Sequence, residues 1–474
     1  MKCLDQLYID GQWQGSTEQV FLDAINPATE QLCAKVIRAS EDDVNQAVQA
    51  ARKAFAGYSQ LTRHNRLDLL ASIIDQYQKR YEDVAQAMSE EMGSPITLSL
   101  ESQADCGLGH LQNAYDVFKE FSFEEQRREG LVIRKEPIGV CGFITPWNWP
   151  MNQIACKVGP ALAVGCTMVL KPSEIAPLSA QLFAEILHDA GVPHGVFNMV
   201  HGDGAVTGHA LTRHPEVDMV SFTGSSRAGI LVAQNAAPTI KRVTQELGGK
   251  SANIILDDAD FEHAVAEGAA TLFENTGQSC NAPSRMLVPA DKIEEASRIA
   301  ALTAHDMVVG DPKNPTTELG PVANQVQFNK IQQMIAQGIE EGATLVAGGT
   351  GKPEGLDQGY YVKPTVFTHV SNKMSVAREE IFGPVLSIIP YEDEEDAIAI
   401  ANDTEYGLAA YIQGQDPTRL KRIAARLRAG TVNINGDNGD YDTPFGGYKQ
   451  SGNGREYGPE GFADYLEIKA ISGC

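Results

Sequence analysis

Ile138-Gly139-Val140-Cys141-Gly142-Phe143-Ile144 is a short apolar run that ends directly at the turn Thr145-Pro146-Trp147-Asn148-Trp149-Pro150. A run of this length bounded by turn residues is typical of a strand buried on both faces of a sheet. Three similar runs follow, at 167–170, 196–200 and 219–222. Helical periodicity marks 176–190 and 205–214 between them. Strands that alternate with helices predict a parallel sheet, with ligand at the carboxyl ends of the strands.

A second alternation of strands and helices begins near Ser251. Further short apolar runs predict strands at 252–256, 284–288, 365–367, 385–390 and 430–434. Helical periodicity over 261–276 separates the first two, so we expect a second α/β domain, which contains Cys280. The first part of the chain has instead an amphipathic helical pattern, at 41–55, 63–78 and 81–91. The tail 463–471 predicts an exposed strand, which pairs either with another subunit or within the chain.

Composition and charge narrow the class of protein. The 474 residues are 43% hydrophobic and 21% charged, as in an ordinary globular chain of two or three domains. With 38 basic and 62 acidic residues the formal charge is −24, so nucleic acid and anionic membranes are not expected as partners. The longest apolar stretch, 158–170, is too short to span a bilayer. The eight scattered cysteines and ten histidines form no metal motif, and we expect a reduced, cytoplasmic protein.

Cys280 and Glu246 are the candidate reactive side chains. Cys280 stands among small residues in Thr276-Gly277-Gln278-Ser279-Cys280-Asn281-Ala282-Pro283, where a substrate can approach closely. Glu246 precedes two glycines, and a carboxylate can activate water or a thiol. Taken alone, a free cysteine is more often an inert buried side chain, and such a glutamate often ends a helix or loop. Together with the segments below, the two residues indicate covalent catalysis by a thiol.

Three segments suit a dinucleotide. Phe222–Gly229 follows a predicted strand and opens a predicted helix, whose free amides favour a phosphate, although an ordinary strand-to-helix turn is the more common explanation of such a segment alone. Glu174 could accept hydrogen bonds from ribose hydroxyls and Lys171 could donate to a sugar oxygen, with a solvated surface loop as the alternative. Glu380 offers a second carboxylate for a ribose, and Phe382 offers an aromatic face for a nicotinamide or a core side chain.

Asn148 lies in a rigid aromatic turn after the first strand. An amide held between Trp147 and Trp149 makes a suitable donor to a developing oxyanion, and the two rings suit an apolar substrate passage. The alternative is that Asn148 caps the following helix. The Gly-rich segment 444–452 could shape the mouth of a pocket or only turn the chain.

These segments, in this order, resemble the aldehyde dehydrogenase superfamily, in particular its non-acylating, NAD(P)-dependent branch. The resemblance runs over nearly the whole chain, from Ile9-Asp10-Gly11-Gln12-Trp13 and Asn26-Pro27-Ala28-Thr29 to the final predicted strand. It implies an α/β fold with a Rossmann-like NAD-binding domain, an α/β catalytic domain and a small β oligomerisation element, assembled as a homodimer or homotetramer. The implied ranges are 1–117 and 136–248 for the NAD-binding domain, 249–449 for the catalytic domain, and 118–135 with 450–474 for the oligomerisation element.

The resemblance also implies a role for individual residues. Cys280 is then the nucleophile, Glu246 the general base, and Asn148 with the Cys280 backbone amide the oxyanion hole, while Lys157 and Glu456 belong to a proton relay. The implied cofactor-binding residues are Ile144, Thr145, Pro146, Trp147, Lys171, Ser173, Glu174, Gly204, Phe222, Gly224, Ser225, Leu247, Glu380 and Phe382. The implied substrate residues are Trp149, Gln153, Cys156, Ser279 and Phe445.

The implied reaction is oxidation of a small-molecule aldehyde to a carboxylic acid, with NAD or NADP as acceptor. Cys280 would form a thiohemiacetal and then a thioester, which water activated by Glu246 would hydrolyse. Relatives that transfer the acyl group to coenzyme A typically lack this carboxylate. Glu174 would repel a 2′-phosphate, which favours NAD. A cysteine hydrolase or acyl transferase without a redox step is the competing class, and it leaves the nucleotide segments unexplained.

The sequence leaves the identity of the aldehyde open. Trp149 and Phe445 suit an aromatic or aliphatic substrate. Asp437, Asp440 and Asp442 precede Phe445 and could attract a cationic aminoaldehyde or betaine aldehyde. A solvated acidic loop on an acidic protein explains the same three residues, and it is the interpretation adopted for them.

Overall fold

The computed structural model of the protein describes residues 2–473, so Met1 and Cys474, the ends of the predicted terminal segments, lie outside the described residues. The strands, in chain order, are β1 (Lys2–Leu4), β2 (Leu7–Ile9), β3 (Gln12–Gln14), β4 (Phe21–Asn26), β5 (Gln31–Ile37), β6 (Glu124–Arg128), β7 (Leu131–Pro137), β8 (Val140–Ile144), β9 (Thr167–Lys171), β10 (Phe197–Met199), β11 (Met219–Thr223), β12 (Arg242–Glu246), β13 (Ala252–Ile255), β14 (Arg285–Pro289), β15 (Thr344–Ala347), β16 (Thr365–Thr368), β17 (Val385–Tyr391), β18 (Ala409–Gln413), β19 (Thr431–Ile434), β20 (Gly452–Asn453) and β21 (Leu466–Ser472).

The helices, in chain order, are α1 (Glu41–Tyr58), α2 (Arg63–Lys79), α3 (Tyr81–Met92), α4 (Ile96–Leu98), α5 (Ala104–Glu120), α6 (Pro150–Val164), α7 (Pro177–Asp189), α8 (His209–Arg213), α9 (Ser226–Ala236), α10 (Phe261–Phe273), α11 (Ile293–Asp306), α12 (Gln325–Glu340), α13 (Ser375–Arg378), α14 (Glu394–Asn402), α15 (Pro417–Ala424) and α16 (Glu460–Ala463). The helix predicted over 205–214 is divided, because a π-helical turn, Gly204–Gly208, precedes α8. None of the helices within residues 2–473 is long and apolar enough to cross a bilayer.

The largest sheet has eight strands in the order β20-β12-β11-β8-β9-β10-β2-β3. The five strands from β12 to β10 are parallel, and the strands at both ends of the sheet are antiparallel. Both faces are covered: Phe143 and Leu170 pack into one apolar cluster, whereas Val140 and Val169 pack into another on the opposite face. Burial on both faces explains why β8 and the middle of β9, Met168 to Leu170, are apolar. The prediction of a parallel α/β sheet is confirmed.

A second sheet has seven strands in the order β15-β16-β17-β14-β13-β18-β19, all parallel except β15. The helix before β14 is shorter than predicted over 261–276, because α10 ends at Phe273. Asn275 and Thr276 then take left-handed backbone angles, with φ of 52° and 56°. A right-handed helix cannot continue through such residues, so the chain turns into the loop that carries Cys280.

The C-terminal segment belongs to two sheets. β21 pairs antiparallel with β7 from Leu466 opposite Pro137 to Ser472 opposite Leu131, in a three-stranded sheet ordered β21-β7-β6. Of the two alternatives for the predicted tail strand, the structure therefore has the pairing within the chain. Earlier in the same segment, β20 pairs with β12 and places Gly452 opposite Glu246. The last 25 residues therefore reach the strand that carries the candidate base.

Candidate active site

Cys280 lies where two cavities meet. Its side chain is half-buried in the loop after α10 and lines both a cavity of about 190 Å³ and a larger one of about 550 Å³. Trp147, Glu246 and Phe382 also line the smaller cavity, whereas Trp149 and Phe445 line the larger one. The sulfur can therefore be approached from two sides by two different molecules.

Asn148 is held beside Cys280 by hydrogen bonds on both of its polar groups. Its side-chain amide donates to the carbonyl oxygen of Gln278 at 2.9 Å. Its own carbonyl accepts from the amides of Gln103, at 3.2 Å, and Asn275, at 3.0 Å. A side-chain amide has two N–H donors, so the second one is available to a substrate oxygen. The alternative of a helix cap does not hold, because α6 begins without any side-chain cap and its N-cap residue is Trp149.

Glu246 is the last residue of β12 and lines the smaller cavity together with Cys280. Its side chain is buried, and among the described residues neither carboxylate oxygen has a hydrogen-bond partner. Burial, reinforced by the negative charge of Glu456, raises the pKa of Glu246 well above its ordinary value. A buried carboxylate without partners binds a proton readily and is suited to accept one from a thiol or a water.

Lys157 and Glu456 form a buried ion pair near Glu246. The ammonium of Lys157 also donates to the hydroxyl of Thr223 at 2.7 Å. Burial is the largest single influence and lowers the pKa of Lys157, but the carboxylates of Glu456 and Glu246 and the Cys156 thiol together outweigh it, and the net shift is upward. Both charges act electrostatically on Glu246, so the three groups form one coupled cluster.

Cys156 does not lie where the sequence analysis placed it. It does not line either cavity at Cys280; its side chain is 3% exposed and its thiol donates to Glu456 at 3.4 Å. The helical position of Cys156 on α6 turns it toward the ion pair rather than toward the substrate. It therefore belongs to the coupled cluster and not to the substrate passage.

Cys280 itself is a neutral thiol at rest. Burial, together with the carboxylates of Glu380 and Glu246, raises the pKa of Cys280 to about 12. Since the thiolate is the nucleophilic form, a neighbouring group must remove the proton when the thiol reacts. Among the ionisable residues that line the smaller cavity, Glu246 has both carboxylate oxygens free for this purpose.

Half of the expected cofactor residues line the smaller cavity. These are Pro146, Trp147, Gly224, Ser225, Leu247, Glu380 and Phe382. The rings of Trp147 and Phe382 meet edge to face at 5.6 Å, so Phe382 lies at the cavity rather than in a core. Glu380 accepts a hydrogen bond from the backbone N–H of Gly249 at 3.1 Å. The side chain of Ser225 caps α9, whose N-terminus therefore opens toward this cavity.

The other expected cofactor residues lie outside the walls of this cavity. They are Ile144, Thr145, Lys171, Ser173, Glu174, Gly204 and Phe222. They come from the carboxyl ends of β8, β9 and β11 and from the π-helical turn. The backbone N–H of Thr145 donates to Lys171 at 3.2 Å, and the ammonium of Lys171 pairs with Glu174 at 3.2 Å. The predicted segments thus meet at one edge of the parallel sheet.

The larger cavity forms a passage with aromatic walls. Trp149 donates from its ring N–H to the hydroxyl of Ser279 at 2.8 Å. Phe445 stacks on Tyr457 with ring centroids 5.3 Å apart. Gln153 lines both cavities, and among the described residues its side-chain oxygen has no partner. Four of the five expected substrate residues therefore lie on this passage.

Several residues of the passage were not found by sequence reasoning. These residues include aromatic or polar side chains, namely His110, Asn152, Tyr411, Tyr441 and Tyr457, and acidic side chains, namely Glu101, Asp105 and Glu274. His110 lies on α5, and its sequence position is that of an ordinary residue in an amphipathic helix. Tyr457 directly follows Glu456 and is the one residue that a sequence signal could have identified.

The passage carries negative charge near its mouth. Asp440 lines it with three other carboxylates, and no Lys or Arg of the described residues does so. The Asp440 carboxylate is already engaged by its own loop, since it accepts from the N–H of Asp442 at 2.9 Å and from the Thr443 hydroxyl at 3.4 Å. Asp437 likewise accepts from the N–H of Gly439 at 2.9 Å.

Comparisons with known proteins agree with this geometry. The model of the aldehyde dehydrogenase family matches residues 13–471. The chain belongs to the aldehyde dehydrogenase family. A 3-succinoylsemialdehyde-pyridine dehydrogenase from Pseudomonas sp is 53% identical, over 100% of this chain and 99% of its own length. The prediction of an enzyme of this class is confirmed.

Solved structures of this family have the same fold. A cysteine-to-alanine mutant of aldehyde dehydrogenase C from Pseudomonas syringae, in complex with NAD+ and octanal, has a TM-score of 0.98 at 52% identity, covering 99% of this chain and 96% of that one. An aldehyde dehydrogenase from Bacillus cereus in complex with NAD+ has a TM-score of 0.95 at 37% identity, with 99% and 96% covered. The predicted α/β fold of this family is confirmed.

Proposed function

We propose that this protein oxidises an aldehyde to the carboxylic acid with NAD+ as hydride acceptor, through a thioester on Cys280. The observation that carries the proposal is the position of Cys280 on the walls of two cavities, with Asn148 and Glu246 on the wall of the same cofactor-side cavity. A hydrolase would need the substrate passage alone. The second cavity, rich in the residues expected to hold a dinucleotide, favours the redox reaction.

The residues at the sheet edge fit a dinucleotide. The smaller cavity opens at the N-terminus of α9, where free backbone amides favour a phosphate. The hydroxyl oxygen of Thr145 is buried without a partner among the described residues, and the half-exposed carboxylate of Glu174 is within reach of solvent. Glu174 would accept from the adenosine ribose and would repel a 2′-phosphate, so NAD is preferred. When bound, the nicotinamide accepts the hydride.

The first chemical step joins the sulfur of Cys280 to the aldehyde carbon. Glu246 takes the thiol proton, and the free N–H of Asn148 with the backbone N–H of Cys280 stabilises the oxygen that becomes negative. The hydrogen bonds from Gln103 and Asn275 keep Asn148 in place, so no reorganisation is needed when the charge develops. Loss of hydride from the adduct leaves a thioester.

The second step is hydrolysis of that thioester. Glu246 first releases the thiol proton, then removes a proton from water, which adds to the thioester carbon, and the Cys280 sulfur leaves with a proton. The Lys157–Glu456 pair acts electrostatically on Glu246, which supports a role for the pair in the release of that proton. The balance is aldehyde, NAD+ and water converted into carboxylic acid, NADH and a proton.

The walls of the passage favour an aldehyde with an uncharged aromatic or aliphatic tail. Trp149, His110, Phe445 and Tyr457 give it an aromatic lining, and burial lowers the pKa of His110 to about 4, so this ring is neutral. The relatives named for a pyridine semialdehyde and crystallised with octanal support this class. The four carboxylates disfavour an aldehyde that itself carries a carboxylate.

The assembly proposed for the chain is a homodimer or homotetramer. β21 is the end strand of the three-stranded sheet and most of its residues are exposed, and such a strand is commonly covered by another subunit. Sedimentation velocity on the purified chain tests the assembly, and a monomer at micromolar concentration contradicts it.

The cysteines among the described residues are all free, which supports a reducing cytoplasmic compartment.

The function is tested by recording NADH absorbance with a panel of neutral, cationic and anionic aldehydes. We expect NADH and acid in equal amounts, the highest kcat/KM for neutral apolar aldehydes, and no turnover in Cys280→Ala. Hydrolysis of a thioester by the wild type without any NADH formation from aldehydes would support the competing hydrolase instead.

A further inference from the structure

Two buried cationic side chains meet at a small third cavity. Lys250, just before β13, is 2% exposed, and Arg285, the first residue of β14, is 1% exposed. The cavity has a volume of about 20 Å³, enough for one particle about the size of a water molecule. Ser251, Asn402 and Arg428 also line it, and among the described residues no Asp or Glu does so.

Neither cation is neutralised by a carboxylate. The ammonium of Lys250 has no hydrogen-bond partner, and neither Lys250 nor Arg285 belongs to an ion pair within residues 2–473. Arg285 donates only to uncharged oxygens, those of Lys250, Asn372, Ile400 and Ala401. The hydroxyl of Ser251 is also buried without a partner in this part of the chain.

Buried charge without compensation is costly, and the site can relieve it in two ways. In the first, Lys250 gives up its proton; burial and the charge of Arg285 favour this, because they lower the pKa of Lys250 to about 7. In the second, a negative ion enters the cavity. The nearby opposite charges are Glu380 and Glu379 for Lys250 and Asp403 for Arg285. None of these carboxylates lines the cavity, and Glu380 is bound to the N–H of Gly249. The unpartnered groups, an ammonium and a hydroxyl, can both donate to an anion.

We propose that this cavity binds one small monovalent anion, such as chloride, between the Lys250 ammonium and the Ser251 hydroxyl, with Arg285 beside it. The negative charge of the ion would link the residues just before β13 to the first residue of β14. Gly249 lies next to this site, and a Cβ on it would come within 2.3 Å of the carbonyl oxygen of Cys280. The anion would thus stabilise the wall on which the nucleophile rests, without touching the substrate passage.

Thermal unfolding in different salts at equal ionic strength tests this proposal. We expect the unfolding temperature to rise with chloride or bromide until it saturates, and not to do so with acetate, which is too large for the cavity. Lys250→Met should lose the saturable rise, and the matched control Lys421→Met, an exposed lysine of α15, should keep it. Equal responses to halide and acetate, or a Lys250→Met variant that keeps the rise, would overturn the proposal.

A bromide soak provides a second measurement that needs no variant. Crystals of the wild-type protein grown in sodium bromide should show an anomalous bromine peak in the cavity, in contact with the Lys250 nitrogen. A water peak there, or no anomalous signal while other sites show bromide, would mean that Lys250 is neutral and would refute the anion site.

Discussion

Replacement of Asn148 by alanine separates stabilisation of the oxyanion from every other function of the site. The substitution removes the N–H donor that we propose for the oxygen of the adduct, and removal of such a donor lowers kcat by about 10²–10³, or about 2.7–4 kcal/mol. The loop should keep its shape, because the carbonyl of Gln278 retains a second, longer bond from the Asn275 amide at 3.4 Å. The backbone carbonyl of residue 148 also keeps its two donors.

The assay is the steady-state rate of NADH formation with a neutral aldehyde, together with the KM for NAD+. We expect kcat to fall by the stated factor while the KM for NAD+ stays within threefold, since Asn148 is proposed to act on the substrate oxygen. Asn329→Ala, on the exposed face of α12, is the matched control and should behave as wild type. A loss of less than tenfold in Asn148→Ala would refute the assignment of the oxyanion donor.

Three further predictions concern the base, the cofactor and the acidic loop. Glu246→Gln should slow both the first turnover of NADH and the steady-state rate by about 10²-fold, because the variant can deprotonate neither the Cys280 thiol nor water. In the wild type the pKa of Glu246 is raised and its basic form is lost as pH falls, so kcat should rise with pH through that pKa, and a flat pH profile would contradict this role. Glu174→Gln should raise kcat/KM for NADP about tenfold relative to NAD, and an unchanged ratio would show that another residue selects the cofactor. Asp440→Asn should leave the relative rates on cationic and neutral aldehydes unchanged, since its carboxylate is engaged by its own loop, and a selective loss on the cationic substrate would show otherwise.

The sequence predicts the central strands β8, β9, β10 and β11 of the first large sheet and most strands of the second, because these strands are buried on both faces. β8 is apolar at every position and β9 is apolar from Met168 to Leu170, and such runs are visible without a structure. β12 and β18, which are also inner strands, were not predicted. β4 and β5 were not predicted, since strands of a small surface sheet mix exposed and buried positions. The end of α10 was misplaced because the left-handed angles of Asn275 and Thr276 depend on the loop they lead into.

The candidate site was predictable where its residues lie in motifs at the ends of strands. Asn148 follows β8 and Glu246 ends β12, and the parallel pairing of both strands with β11 brings the two residues to the same edge of the sheet. His110 and Tyr457 are far apart in sequence and contact each other with ring centroids 4.2 Å apart, a contact that only the tertiary fold creates. Cys156 was misplaced for the same reason, because local sequence does not fix which side of α6 faces the passage.

The pairing of β20 with β12 sets the order in which the reactive centre is completed during protein synthesis. Cys280 is synthesised well before Gly452, which pairs opposite Glu246, and before Glu456, which pairs with Lys157. A nascent chain that ends before Gly452 therefore contains the Cys280 thiol without these contacts of the Glu246 cluster.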